Sequence, residues 1–90
     1  MTPADVRAAQ FGKPPFGRRG YEELAVDILL DRIEESLNGK PQITLEELST
    51  VRLPKPARGQ RGYYKADVDA FIQHVISEWP SRSAEQSEAS

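Results

Sequence analysis

Cysteine is absent from this chain of 90 residues, which excludes disulfide staples, thiol nucleophiles and Cys-based zinc or iron–sulfur sites. Histidine occurs once, as His74, so a His-rich metal site is excluded too. No apolar run approaches the roughly 20 residues that a membrane-spanning helix requires. The opening Met1-Thr2-Pro3-Ala4-Asp5 lacks a charged stretch followed by an apolar one, which predicts no secretory signal. Nor does one sign of charge prevail. Twelve Lys and Arg against 14 Asp and Glu leave a net charge of −2, which argues against a uniformly basic nucleic-acid binder. No nucleophile–base pair, metal set or phosphate-cradling glycine loop is visible. The sequence therefore reads as non-enzymatic, with no cofactor and no small-molecule substrate.

What is present is the material for one small domain or two very small repeats. Chains of this size bury only about 60% of their unfolded surface, so every apolar face needs a partner. The order of residues supplies one. At an offset of about 42 residues the sequence matches itself without a gap. Thr2 falls on Thr44, Lys13 on Lys55, Pro14 on Pro56 and Gly17 on Gly59. Arg19-Gly20-Tyr21 falls on Arg61-Gly62-Tyr63, and Val26-Asp27 on Val68-Asp69. The division that follows is a first repeat over 1–37, a linker over 38–43, a second repeat over 44–79 and a tail over 80–90. The tail is rich in Ser, Glu and Ala, and it is expected to have no fixed structure.

Each repeat divides into three parts. Thr2-Pro3-Ala4-Asp5 and Thr44-Leu45-Glu46-Glu47 place an acid three residues after a threonine, the capping-box spacing, and so predict short helices. Prolines and glycines then enforce loops over 11–20 and 53–62. Longer helices are predicted over about 22–37 and 64–79. Val26, Leu29, Leu30, Ile33 and Leu37 make one apolar stripe at helical spacing, and Val68, Phe71, Ile72, Val75 and Trp79 make the other. The fold class is therefore mainly α: two short helix–basic loop–long helix units whose long helices pair about a pseudo-two-fold axis. Val26, Leu30, Ile33, Val68, Phe71, Ile72 and Val75 are the expected interface and core. A linker of at most about 20 Å nearly spans a helix of ~24 Å, so either sense of pairing is allowed.

The charges are segregated. From Arg7 to Arg19 every charged residue is basic, and the same holds from Arg52 to Lys65. The acids lie in the helices. Two basic loops suit an anionic surface. Phe16, framed by Pro15 and Gly17 beside Arg18 and Arg19, has the composition of a loop tip that wedges into a bilayer interface. Arg58 and Arg61 are the cations of the second loop. Tyr21 and Tyr63 are expected to staple the starts of the long helices, and Asp27 and Asp69 read as helix-surface or interface acids able to pair with Arg19 and Arg61. His74 reads as a surface residue and Trp79 as a packing one.

The strings Thr2-Pro3-Ala4-Asp5-Val6 and Phe11-Gly12-Lys13-Pro14-Pro15-Phe16-Gly17-Arg18-Arg19-Gly20-Tyr21 resemble the N-terminal lipid-binding domain of DivIVA-like proteins, the actinobacterial branch in particular. The second repeat keeps Arg61-Gly62-Tyr63 and Val68-Asp69-Ala70-Phe71-Ile72. The resemblance implies a cytoplasmic scaffold of cell division or polar growth, peripheral to the inner face of the membrane. It implies loops that cross, with Phe16, Arg18 and Arg19 on anionic lipid. It also implies a coiled-coil DivIVA-like protein or a second copy as partner. The chain departs from the pattern where Asn38-Gly39 and Pro80 interrupt the family's long coiled coil, and where Leu29 replaces a phenylalanine. A second reading is a small excisionase or MerR-like DNA-binding module, suggested by Thr44 to Leu48 and Gly62 to Ile72. Against it, the stretch from Val51 to Arg61 holds two prolines and no recognition helix. A third reading is a protein–protein adaptor without membrane binding.

Overall fold

The computed structural model describes residues 1–15 and 17–79, and Phe16 and the tail from Pro80 to Ser90 lie outside the described residues. Four helices follow in order: α1 (Pro3–Arg7), α2 (Glu23–Leu37), α3 (Leu45–Ser49) and α4 (Lys65–Ser77).

Both short helices begin with the reciprocal cap that their sequences encode. Thr2 Oγ1 accepts from the Asp5 N–H at 3.2 Å, and the Thr2 N–H donates to Asp5 Oδ2 at 2.8 Å. Thr44 Oγ1 accepts from the Glu47 N–H at 3.0 Å, and the Thr44 N–H donates to Glu47 Oε1 at 3.1 Å. The residue before each threonine is apolar and faces the fourth helical residue, the staple arrangement. Ile43 and Leu48 are both buried, and Met1 packs against the core that holds Val6. Ile43 is the last residue of the linker, and its place ahead of the α3 cap explains why it is core. α2 is capped by the Glu22 carboxylate, which accepts from the Ala25 N–H. It ends where Gly39 takes φ +87° and the Lys40 N–H returns to the Glu35 carbonyl at 2.9 Å.

The apolar stripes meet in one cluster. Val26, Leu29 and Ile33 of α2 are buried with Val68, Ile72 and Val75 of α4, and Val6, Ile43, Leu48 and Trp79 close it. Leu30 and Phe71 are half-buried against its edge. Each fully buried aliphatic side chain contributes about 1.5–3 kcal/mol, so this cluster is the main stabilising element of so short a chain. The most extensive backbone contacts between helices lie within each unit, α1 on α2 and α3 on α4.

Between the units the loops cross. Tyr21 and Tyr63 form an isolated antiparallel bridge, with N–H to carbonyl distances of 3.0 and 2.9 Å. The Tyr64 N–H donates to the Gly12 carbonyl at 2.8 Å, and its counterpart, the Glu22 N–H, donates to the Pro54 carbonyl at 2.9 Å. One pair differs between the units in a way that follows from proline chemistry. The Gly12 N–H donates to Asp67 Oδ2 at 2.9 Å. Pro54 occupies the matching place, has no N–H to satisfy, and faces a unit in which Ala25 stands where the other has Asp67.

The long helices run in the same sense. Their N-terminal ends are joined at the crossing. Their C-terminal halves are both within reach of α1, because the Met1 amine donates to Glu78 Oε1 at 2.9 Å and Arg7 pairs with Glu34. A helix of five residues is only about 7 Å long, so those ends lie on the same side of the molecule. Of the two senses that the linker length allowed, the structure takes the parallel one.

Candidate functional site

The site is built on the crossing. Glycine is required there because backbones pass too closely for a side chain. A Cβ on Gly20 would lie 1.7 Å from the Tyr63 carbonyl oxygen, and one on Gly62 would lie 2.1 Å from that of Tyr21. The two tyrosines reach past each other to the opposite helix. The Tyr21 hydroxyl donates to Asp69 Oδ1 at 2.6 Å, and the Tyr63 hydroxyl donates to Asp27 Oδ1 at 3.0 Å. Asp27 and Asp69 thus bind tyrosine hydroxyls and not Arg19 and Arg61, which corrects the expected ion pairs. The correction has a geometric cause: the arginines precede the crossing and are carried to the loop tips, while the tyrosines that follow them reach the opposite helix. Lys13 Nζ lies 5.3 Å from the Tyr63 ring centre and Lys65 Nζ lies 5.7 Å from that of Tyr21. Burial, and then donation to Asp69, push the Tyr21 hydroxyl up to about 12; Tyr63 is raised for the same reasons with Asp27 as its acceptor.

Beyond the crossing each loop ends in a tight turn. The Arg18 N–H donates to the Pro15 carbonyl and the Gln60 N–H to the Ala57 carbonyl, both at 3.0 Å. Gly17 and Gly59 supply positive φ values of +86° and +87° in these turns. Because the loops cross, the two tips emerge at the same end. Gly17, Arg18 and Arg19 together with Gly59, Gln60 and Arg61 line an open depression of about 540 Å³ with no carboxylate in its wall. Arg18, Arg19, Arg58 and Arg61 are all exposed. Arg61 Nη1 donates to the Pro14 carbonyl at 3.4 Å and is tethered to the other loop. Among the described residues, Arg18, Arg19 and Arg58 form no ion pair. The structure therefore gathers Arg18, Arg19 and Arg61 at one surface and leaves Arg58 in the adjoining turn. Phe16, expected at the centre of this tip, lies outside the described residues.

Other candidates fall away from this end. His74 is exposed, with Nε2 3.0 Å from Glu78 Oε2. Trp79 is buried in the core. Residues 51–64 form extended chain and a turn, with no helix that a DNA groove would receive. Among the described residues no three His, Asp or Glu side chains converge as a metal site, and no helix is long and apolar enough to cross a membrane. The reciprocal tyrosine–aspartate bonds were the feature that sequence reasoning missed. The signal for them was the recurrence of Arg-Gly-Tyr and Val-Asp at one spacing in both units.

Comparison with known proteins places one segment. Over 37 residues, 41% of the chain, it is 54% identical to the cell wall synthesis protein Wag31 of Mycobacterium tuberculosis. The same identity over the same length holds for the Wag31 proteins of Mycobacterium leprae and Mycolicibacterium smegmatis. The chain covers 14% of the length of each of these relatives. The matched segment is about as long as one of the two units, and it supports the resemblance to DivIVA-like proteins. No protein-family profile and no solved structure matches the chain.

Proposed function

We propose that this chain is a non-enzymatic, DivIVA-like scaffold or adaptor module of bacterial cell-wall synthesis and polar growth. In this reading it is cytoplasmic and peripheral to the inner face of the membrane, which its two basic loop tips contact. The two units are tandem copies of one motif, so that a single chain reproduces a crossed-loop pair. The observation that carries the reading is the convergence of Arg18, Arg19 and Arg61 on one open depression whose lining holds no carboxylate, with Arg58 in the adjoining turn. A solvated loop needs no such convergence, whereas a planar anionic surface rewards cations that share one end of the molecule. The similarity to Wag31, named for cell wall synthesis, supplies the cellular context.

Each cation at an anionic leaflet contributes about 1 kcal/mol, so four arginines give roughly millimolar affinity from one copy. An inserted Phe16 adds an apolar increment of about 1.5–3 kcal/mol. Useful localisation then comes from clustering on a larger assembly. Co-sedimentation with vesicles rich in anionic lipid tests this. Binding at low salt, lost with Arg18→Ala plus Arg19→Ala, absent on zwitterionic vesicles and weakened at high salt, is the expected outcome. If the chain displayed on a multivalent support ignores anionic vesicles at low salt, the membrane role is wrong and an adaptor role takes its place.

A further inference from the structure

The outer face of α2 carries a second surface, unrelated to the loop tips. Leu24 and Ile28 are the most exposed large aliphatic residues among those described, at 63% and 51%. With Asp31 and Glu35 they continue one stripe at spacings of four, three and four, the repeat by which one helix presents a seam to another. It lies away from the buried stripe of Val26, Leu29 and Ile33. Among the described residues, neither Asp31 nor Glu35 forms an ion pair.

The molecule contains its own control. The matching positions of α4 are Ala66, Ala70, Gln73 and Ser77, small or neutral at every step. The fold therefore does not require bulk or charge on this face, since its other half is built without either. Leu24 and Ile28 leave about half or more of their surface in water, a cost that α4 avoids.

Charge decides what covers the seam. A second copy in parallel would set Asp31 and Glu35 against their own equivalents. A second copy in antiparallel would set Leu24 and Ile28 against carboxylates. Both are unfavourable, because each places carboxylates against carboxylates or against apolar side chains. We infer that the Leu24–Ile28–Asp31–Glu35 stripe docks a parallel helix of another protein that presents two apolar residues followed by two Lys or Arg at the same spacing. Beside the seam, Arg32 and Arg52 border an open groove floored by Ala25, Leu29 and Leu53. Arg32 is already engaged, by Glu47 at 3.5 Å and by the Gln42 carbonyl at 2.8 Å. Arg52 remains to pair with an acid on the flank of the incoming helix.

Fluorescence anisotropy of two labelled designed helices against the full chain tests the inference. One carries Leu, Ile, Lys, Lys at the four seam positions; the other replaces both lysines with glutamate. The lysine helix is expected to bind at least about tenfold more tightly than the glutamate one, because like charges across a seam are excluded. Leu24→Ala with Ile28→Ala, which installs the residues that α4 already carries, should weaken the lysine helix by about tenfold or more with an unchanged circular dichroism spectrum. Asp31→Lys with Glu35→Lys should reverse the preference between the helices. Equal binding of the two helices, no binding at all, or indifference to the alanine pair would overturn the proposal. So would self-association in sedimentation equilibrium that the alanine pair abolishes, since the occupant would then be a second copy. None of these readouts involves lipid, so they fail or succeed independently of the membrane reading.

Discussion

The Tyr21 hydroxyl donates to Asp69 at 2.6 Å across the boundary between the two units, and Tyr63 returns the bond to Asp27 at 3.0 Å. Each tyrosine lies just ahead of the N-cap of its own long helix and is anchored on the other one. The pair therefore locks the crossing of the loops and sets the parallel course of the helices at once. Tyr21→Phe and Tyr63→Phe should each cost about 1 kcal/mol, below the ~1.5–3 kcal/mol of a bond to a charged acceptor, because the carboxylates are exposed. A double-mutant cycle of Tyr21→Phe with Asp69→Asn in urea denaturation checks it. Fully additive effects would show that the bond contributes nothing.

Alkaline titration should report the same pair. The folded state holds the Tyr21 hydroxyl at about 12, and Tyr63 is raised as well, whereas an unfolded tyrosine ionises near 10. A raised folded value means that the folded state favours the neutral hydroxyl. This stabilisation is complete below about pH 10 and is lost as pH climbs through about 12. The melting temperature should fall across that window, and less steeply in the Tyr21→Phe, Tyr63→Phe variant. Parallel slopes would contradict it.

Glycine positions should separate sharply by what surrounds them. Gly20→Ala and Gly62→Ala each drive a methyl into a backbone carbonyl of the other loop and should abolish cooperative folding. Gly59→Ala has an unfavourable φ of +87° but nothing within 4 Å, so it should cost only about 1–2 kcal/mol. Thermal melts followed by circular dichroism distinguish the two classes, and a stable Gly20→Ala protein would mean that the crossing is not as tight as described.

Burial should likewise divide the apolar residues of α2. Ile33 is fully buried, and Ile33→Ala should cost about 2–5 kcal/mol, enough to unfold a marginal domain. Leu24→Ala, on the outer face, should stay within about 0.5 kcal/mol. Denaturant midpoints of the two variants provide the comparison; similar losses would place Leu24 in the core.

Much of this architecture was legible from local chemistry. A threonine with an acid three residues on can satisfy its own helix start without distant help, so α1 and α3 follow from Thr2-Asp5 and Thr44-Glu47 alone. Helical spacing of Val26 to Leu37 and of Val68 to Trp79 identified the faces that must be covered, since a stripe of aliphatic residues has no better option in water. Segregation of the arginines into two loops was equally plain, because a run of one charge sign is a property of order.

Tertiary structure decided the rest, wherever the answer depends on what lies opposite. Local sequence marks Gly20 and Gly62 only as loop residues; each is required because it lies against a carbonyl of the other loop. Asp27 and Asp69 have arginines nearby in sequence, but the crossing carries those arginines to the tips and brings a tyrosine from the other unit in their place. Ile43 ends the linker, and the cap of α3 turns it inward to the core. The linker length permitted two senses of helix pairing, and the exchange of hydrogen bonds between Tyr21 and Tyr63 selects one. Sequence thus determined which local elements form and which faces are apolar, because those depend on neighbours along the chain. The meeting of two loops at one basic end depends on how the units interlock, which the packing of the folded chain alone decides.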